Sequence, residues 1–133
     1  MIIGTGVDIL EISRIKNLKN LEQFEKKHFT EKETEFFSSR KNREKAISNN
    51  FCAKEAFSKA LGSGVKGFCL SEIEVLRDEN GKPYINLYGN AKEVFKKKGG
   101  KNIFVSISDT DELSEAFVII EGWILCMLSA VHK

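Results

Sequence analysis

Asp8 stands in the apolar stretch Ile2–Leu10. An ionised carboxylate there costs free energy unless it is exposed, paired or bound to a cation. Gly4 and Gly6 precede it at strand spacing and leave a bare face that something can approach closely. Asp8 therefore reads either as a strand-end residue capping the next helix or as a metal ligand. A second group is Phe51, Glu55 and Lys59, spaced four apart so that they align on one helix face, with Glu55 beside the apolar stripe. On spacing alone, Glu55 and Lys59 read as a surface pair worth a few tenths of a kcal/mol. A third group, Val105-Ser106-Ile107-Ser108-Asp109-Thr110-Asp111, ends a strand in hydroxyls and carboxylates. It reads as polar turn chemistry or as the rim of a polyanion or metal site.

The chain that must position these groups has 133 residues, of which 41% are hydrophobic and 30% charged, which fits one domain. Lys and Arg number 21 against 19 Asp and Glu, so the net charge is only +2 and the global basicity of a nucleic-acid binder is absent. The balance is uneven along the chain. Between Arg14 and Lys45 there are ten bases and six acids, a local excess of +4 that suits an acidic partner or phosphates. Lys96, Lys97 and Lys98 form a second basic cluster. Cys52, Cys69 and Cys126 include no C-x-x-C pair, and His28 and His132 are the only imidazoles. A zinc site or disulfide framework is not expected. The stretch Gly62-Ser63-Gly64-Val65-Lys66-Gly67 lacks the Gly-Lys-Ser/Thr end of a phosphate loop. The N-terminus has no basic leader, and no apolar run reaches the roughly 18 residues of a membrane span. The expectation is a cytoplasmic protein with neither membrane nor nucleic acid as partner.

The periodicity predicts a strand over Ile2–Leu10, then a helix carrying Ile15, Leu18, Leu21 and Phe24. Thr30-Glu31-Lys32-Glu33 is a capping box opening another helix. Arg43–Leu61 is the strongest helical stretch, stopped by Gly62 and Gly64. A strand with Ile73 and Val75, a turn over Asp78–Lys82 and a return over Pro83–Tyr88 follow. A short helix from about Ala91 to Lys98, capped by Asn90, precedes a strand pair over Ile103–Ser108 and Ala116–Ile120. The order predicts an α+β fold with a small, mostly antiparallel sheet wrapped around a long central helix.

Two motifs carry a resemblance. Gly4-x-Gly6-Val7-Asp8-Ile9-x-Glu11-Ile12-x-Arg14-Ile15 resembles the opening of the holo-[acyl-carrier-protein] synthases. Phe51-x-Ala53-Lys54-Glu55-Ala56-Phe57-x-Lys59-Ala60-Leu61-Gly62-x-Gly64 resembles their central helix. Phe29-Thr30-x-x-Glu33, Asn80-Gly81-Lys82-Pro83-Tyr84 and Val105-Ser106-Ile107-Ser108 follow in matching order, so the likeness spans residues 1–121. It implies Mg²⁺-dependent transfer of 4′-phosphopantetheine from coenzyme A to a serine of apo-acyl carrier protein, releasing adenosine 3′,5′-bisphosphate, in support of fatty acid biosynthesis. By the same resemblance Asp8 and Glu55 bind Mg²⁺. Glu55, directly or through water, is the candidate base, and Lys59 stabilises the leaving phosphate. Lys41, Arg43, Phe51, Lys54, Gly62, Gly64 and Ser108 are the expected coenzyme A contacts. Arg14, Lys16, Lys19, Lys26 and Lys27 are expected to meet the acidic carrier protein. The resemblance also implies a homotrimer with active sites at subunit boundaries.

The sequence departs from that pattern in three places. Asp109 stands where the family has His. Asn49-Asn50 stands where it often has Gly-Arg, so a phosphate contact is lost or moved to Lys41, Arg43 or Lys54. Residues 122–133 form an apolar extension expected to pack on the domain or at a subunit contact. The alternatives are a basic RNA-binding module and a catalytically inactive relative.

Overall fold

The computed structural model describes residues 1–62 and 64–123. Most of the tail, with Cys126 and His132, therefore lies outside the described residues. Strand β1 (Ile2–Glu11) leads through a single turn, α1 (Ser13–Lys16), to α2 (Leu21–His28), α3 (Glu31–Ser38) and the 18-residue α4 (Arg43–Ala60). A 3-10 turn at Leu70–Glu72 precedes β2 (Ile73–Arg77) and β3 (Pro83–Leu87). Helix α5 (Gly89–Lys97), β4 (Gly100–Asp109) and β5 (Leu113–Gly122) complete the order. All described pairings are antiparallel, but they form two sheets rather than one: β1-β5-β4 and the hairpin β2-β3.

The single helix expected from Ile15 to Phe24 is broken. Asn17 ends α1, and the Asn20 side chain accepts from the Gln23 N–H to start α2. Two cap-forming residues override the apolar spacing, and Leu18 stays exposed. The Thr30–Glu33 capping box forms as expected. The cap expected at Asn90 does not: its N–H instead donates to Glu72 Oε2 at 2.6 Å, so a carboxylate from another element covers the start of α5. The strand pair is also longer than the apolar residues alone suggest.

The core lies between α4 and the three-stranded sheet. Ala53, Ala56, Phe57 and Ala60 of α4 meet Ala116, Val118 and Ile120 of β5. The bare face at Gly4 and Gly6 accommodates helix rather than ligand: a Cβ at Gly4 would overlap the Ala60 carbonyl oxygen, and one at Gly6 that of Ala56. That approach lays β1 on α4 and sets Asp8 beside the helix.

The other sheet face is open and carries apolar side chains. Val7, Ile9, Phe104 and Phe117 are all exposed.

Candidate active site

Asp8 comes from β1, and Glu55 and Lys59 from successive turns of α4. The expected Glu55–Lys59 surface pair is absent. Lys59 Nζ instead donates to Asp8 Oδ1 at 3.1 Å and to the Val7 carbonyl at 3.0 Å. No hydrogen bond or ion pair reaches the Glu55 carboxylate among the described residues. Burial, and then the neighbouring Asp8 charge, push the Glu55 carboxyl up from its ordinary value, while Lys59 pulls it back. Two carboxylates on adjoining elements, with the Asp8 charge raising the cost of charging Glu55, suit a shared cation.

Cys52 fixes this junction from below. Its thiol is fully buried and donates to the Asp8 carbonyl at 3.1 Å. Burial, with Asp8 beside it, pushes that thiol up to about 12, so it stays protonated and inert. The sequence marked Cys52 only as a cysteine outside any zinc or disulfide framework.

Glu55 also lines a largely apolar groove of about 400 Å³ with Phe51, His28, Val65, Leu70 and Lys27. Phe51 packs against Phe24 and His28 with ring centroids 5.3 and 6.2 Å away. A separate cavity of about 390 Å³ is basic, lined by Arg40, Lys41, Lys45 and Arg77 beside Asn49 and Asp109. Arg77 and Arg40 both lie over the Phe36 ring, 4.8 and 5.5 Å from its centroid. Burial and then Arg40 lower the Arg77 guanidinium to about 10. Neither arginine has a carboxylate partner among the described residues, so their charge is available to an anion.

The remaining expected contacts divide. Lys41 lines the basic cavity. Arg43 turns away, engaging buried Glu25 through two contacts of 2.6 and 2.7 Å. Lys54 is fully buried, and its ammonium donates to Glu33 Oε1, the His28 carbonyl and the Leu70 carbonyl at 2.7, 2.7 and 2.9 Å. That leaves it no proton for an external phosphate. Asn50 is likewise inside, donating to Glu33 Oε2 and the Val75 carbonyl. Gly62 and Gly64 adopt positive φ just past α4, where glycine is favoured. Ser108 lies on the open sheet face, opposite in parity to Asp8. Asp109 accepts from Asn49 at 3.0 Å and pairs with Lys45 at 3.4 Å, so a lysine neutralises it. The bases Arg14, Lys16, Lys19, Lys26 and Lys27 are all exposed over α1, α2 and their link. Among the described residues no three His, Cys, Asp or Glu side chains gather as a metal cage.

The fold that sets Asp8 against Glu55 and Lys59 has counterparts among known proteins. A family model for the 4′-phosphopantetheinyl transferase superfamily matches residues 4–117, so the chain belongs to that superfamily. Within it the relatives are holo-[acyl-carrier-protein] synthases. The synthase of Clostridium botulinum strain Eklund 17B is 51% identical over 122 residues, covering 91% of this chain and 98% of its own. The crystal structure of the synthase from Neisseria meningitidis superposes with TM-score 0.84 at 30% identity, covering 91% of this chain and 99% of the other. The synthase from Bacillus anthracis, solved in complex with CoA (3′,5′-ADP), gives 0.76 at 32% identity over 92% and 99%.

Proposed function

We propose that the chain transfers the 4′-phosphopantetheine group of coenzyme A to a serine hydroxyl of an acidic apo-acyl carrier protein. The observation that carries this reading is the convergence of Asp8, Glu55 and Lys59, with Lys59 Nζ 3.1 Å from Asp8. In the transfer, the serine oxygen bonds to the pyrophosphate phosphorus next to the pantetheine. The bridging P–O bond breaks, and adenosine 3′,5′-bisphosphate leaves. Glu55, directly or through a water, takes the serine proton. Lys59 supplies positive charge to the departing phosphate.

Asp8 and Glu55 would hold Mg²⁺, a hard ion that uses one or two carboxylates and lets phosphates complete its shell. When bound, the ion supplies neutralisation of the charge gathering on the pyrophosphate. A site of two carboxylates, with no third such ligand clustered there among the described residues, is compatible with that habit.

The groove beside Glu55 suits the slender pantetheine arm, with Phe51 and Leu70 as walls. The basic cavity suits the nucleotide phosphates through Lys41, Lys45, Arg40 and Arg77. Arg77 and Arg40 would then take the phosphate contact that Asn49-Asn50 does not make. The two cavities share no lining residue, so one coenzyme A bridges them most simply between neighbouring copies. The open face of β1, β5 and β4 supplies the apolar surface for a homotrimer, with Ser108 near a neighbour's site. The exposed bases of α1 and α2 steer the acidic carrier protein.

The test is mass spectrometry of apo-acyl carrier protein incubated with coenzyme A and Mg²⁺. The chain adds the phosphopantetheine mass, and Asp8→Asn or Glu55→Gln slows the addition by about 100-fold or more. No addition by the wild type, or full activity in both variants, overturns the reading. Mg²⁺-independent RNA binding without any transfer would favour the binding-module alternative.

A further inference from the structure

Lys59 has a second role that begins before any substrate binds. Its ammonium sits 3.1 Å from Asp8 Oδ1 and 3.0 Å from the Val7 carbonyl, at the carboxylate assigned to the metal. Its side chain is more than half exposed, whereas the Asp8 side chain is only 20% exposed. The cation is therefore the mobile partner and the carboxylate the fixed one. The strand is held by its pairing with β5, Asp8 opposite Ala116, and by the Cys52 thiol on the Asp8 carbonyl. Among the described residues, the exposed Lys59 head is held only by Asp8 and the Val7 carbonyl. Glu55, one turn earlier on the same face of α4, has no cation of its own among the described residues.

An ammonium and a divalent cation cannot both sit on the same carboxylate oxygen at these distances without strong mutual repulsion. Resting on the reading that Asp8 and Glu55 hold Mg²⁺, we propose that Lys59 is the resident counter-ion of the metal-free site. The incoming metal displaces it from Asp8. The displaced ammonium is then free for the anionic pyrophosphate of the co-substrate. Lys59 thus opposes metal binding in the free protein and favours it once phosphates are present. Metal and coenzyme A binding are coupled through one side chain, and by linkage each tightens the other by the same factor.

The experiment is Mn²⁺ titration of the intact protein followed by electron paramagnetic resonance, with and without coenzyme A, for wild type, Lys59→Met, Lys59→Arg and Asp8→Asn. Without coenzyme A, Lys59→Met binds Mn²⁺ about two- to fivefold more tightly than wild type, the range of a partly exposed ion pair. Lys59→Arg, which keeps a cation within reach of Asp8, stays close to wild type. Adding coenzyme A tightens Mn²⁺ more in wild type than in Lys59→Met, and turnover in Lys59→Met falls. The substitution lies at the surface, and an unchanged circular-dichroism melt verifies that it folds. Equal or weaker Mn²⁺ binding by Lys59→Met in the free protein overturns the counter-ion role. If Asp8→Asn binds Mn²⁺ as wild type does, the metal assignment itself fails. If Asp8→Asn loses Mn²⁺ while Lys59→Met matches wild type, only the counter-ion role fails.

Discussion

Lys54 and Lys59 lie five residues apart on one helix, yet their surroundings give them opposite duties. Lys59 reaches solvent and an exchangeable partner. Lys54 is sealed in, with Glu33 and two carbonyls taking all its protons. Burial pushes the Lys54 ammonium down and the Glu33 carboxyl up, while each partner pulls the other back toward its charged form. Removing one member of such a pair strands the other charge in the interior. Lys54→Met is expected to cost about 3–5 kcal/mol of unfolding free energy in a urea titration. Adding Glu33→Gln to it recovers part of that loss. A single variant that loses less than about 1 kcal/mol would show that the pair is not structural. The motif around Lys54 and Glu55 was plain in the sequence, but the division of labour within it was not. Spacing puts Lys54 and Glu55 side by side. Only the packing of α2, α3 and the 3-10 turn over α4 decides which of them is covered. Asp109 is a similar case: the sequence flagged it as a carboxylate near phosphates, and Lys45 and Asn49 answer it from α4.

At the scale of elements, the contact of β1 with α4 positions the chemistry. Gly4 and Gly6 let the strand lie against the carbonyls of Ala60 and Ala56, which brings Asp8 to the helix face that carries Glu55 and Lys59. Gly6→Ala must push the strand off the helix, because the obstacle is backbone and cannot rotate away. The expected cost is about 1–3 kcal/mol of stability. A loss of phosphopantetheine transfer larger than that cost explains accompanies it, since Asp8 moves with the strand. A Gly6→Ala protein with unchanged melting and turnover would sink this account. The long helix, the capping box at Thr30 and the hairpin at Asp78–Lys82 were legible in the sequence because each rests on local chemistry. In the hairpin, Asp78 Oδ1 accepts from the N–H groups of Asn80 and Lys82, and Gly81 has φ 82°. The break at Asn17–Asn20 was less legible, because apolar spacing and capping residues gave conflicting signals. The Glu72 cap on α5 was invisible, since it joins elements that only the fold brings together.

At the scale of the whole molecule, the three-stranded sheet is covered on one side only. Val7 pairs with Phe117, and Thr5 with Ile119 opposite Phe104, so all three strands put apolar side chains on the uncovered side, interspersed with Ser106, Ser108 and Glu115. Val7 is 50% and Phe117 42% exposed, values that suit a surface awaiting a partner. Val7 and Ile9 share one face of β1, and the single chain leaves them bare. The proposed trimer would give that face a partner, because the same face from three copies would meet around one axis and its apolar residues would become interior. It would also bring together two cavities that share no residue, the basic cavity of one copy beside the carboxylates of the next. A charge at the centre of that face is introduced three times per assembly, so one substitution suffices as a test. Phe117→Glu is expected to convert a sedimenting trimer into a folded monomer with its helical circular dichroism intact. Transfer activity falls by at least about tenfold, because burying each apolar side chain at the contact contributes about 1.5–3 kcal/mol. Asp8, Glu55 and Lys59 are untouched by that substitution, so the loss reports the neighbour's share of the site. A wild-type chain that sediments as an active monomer would remove the trimer from the mechanism and require both cavities to serve coenzyme A within one copy.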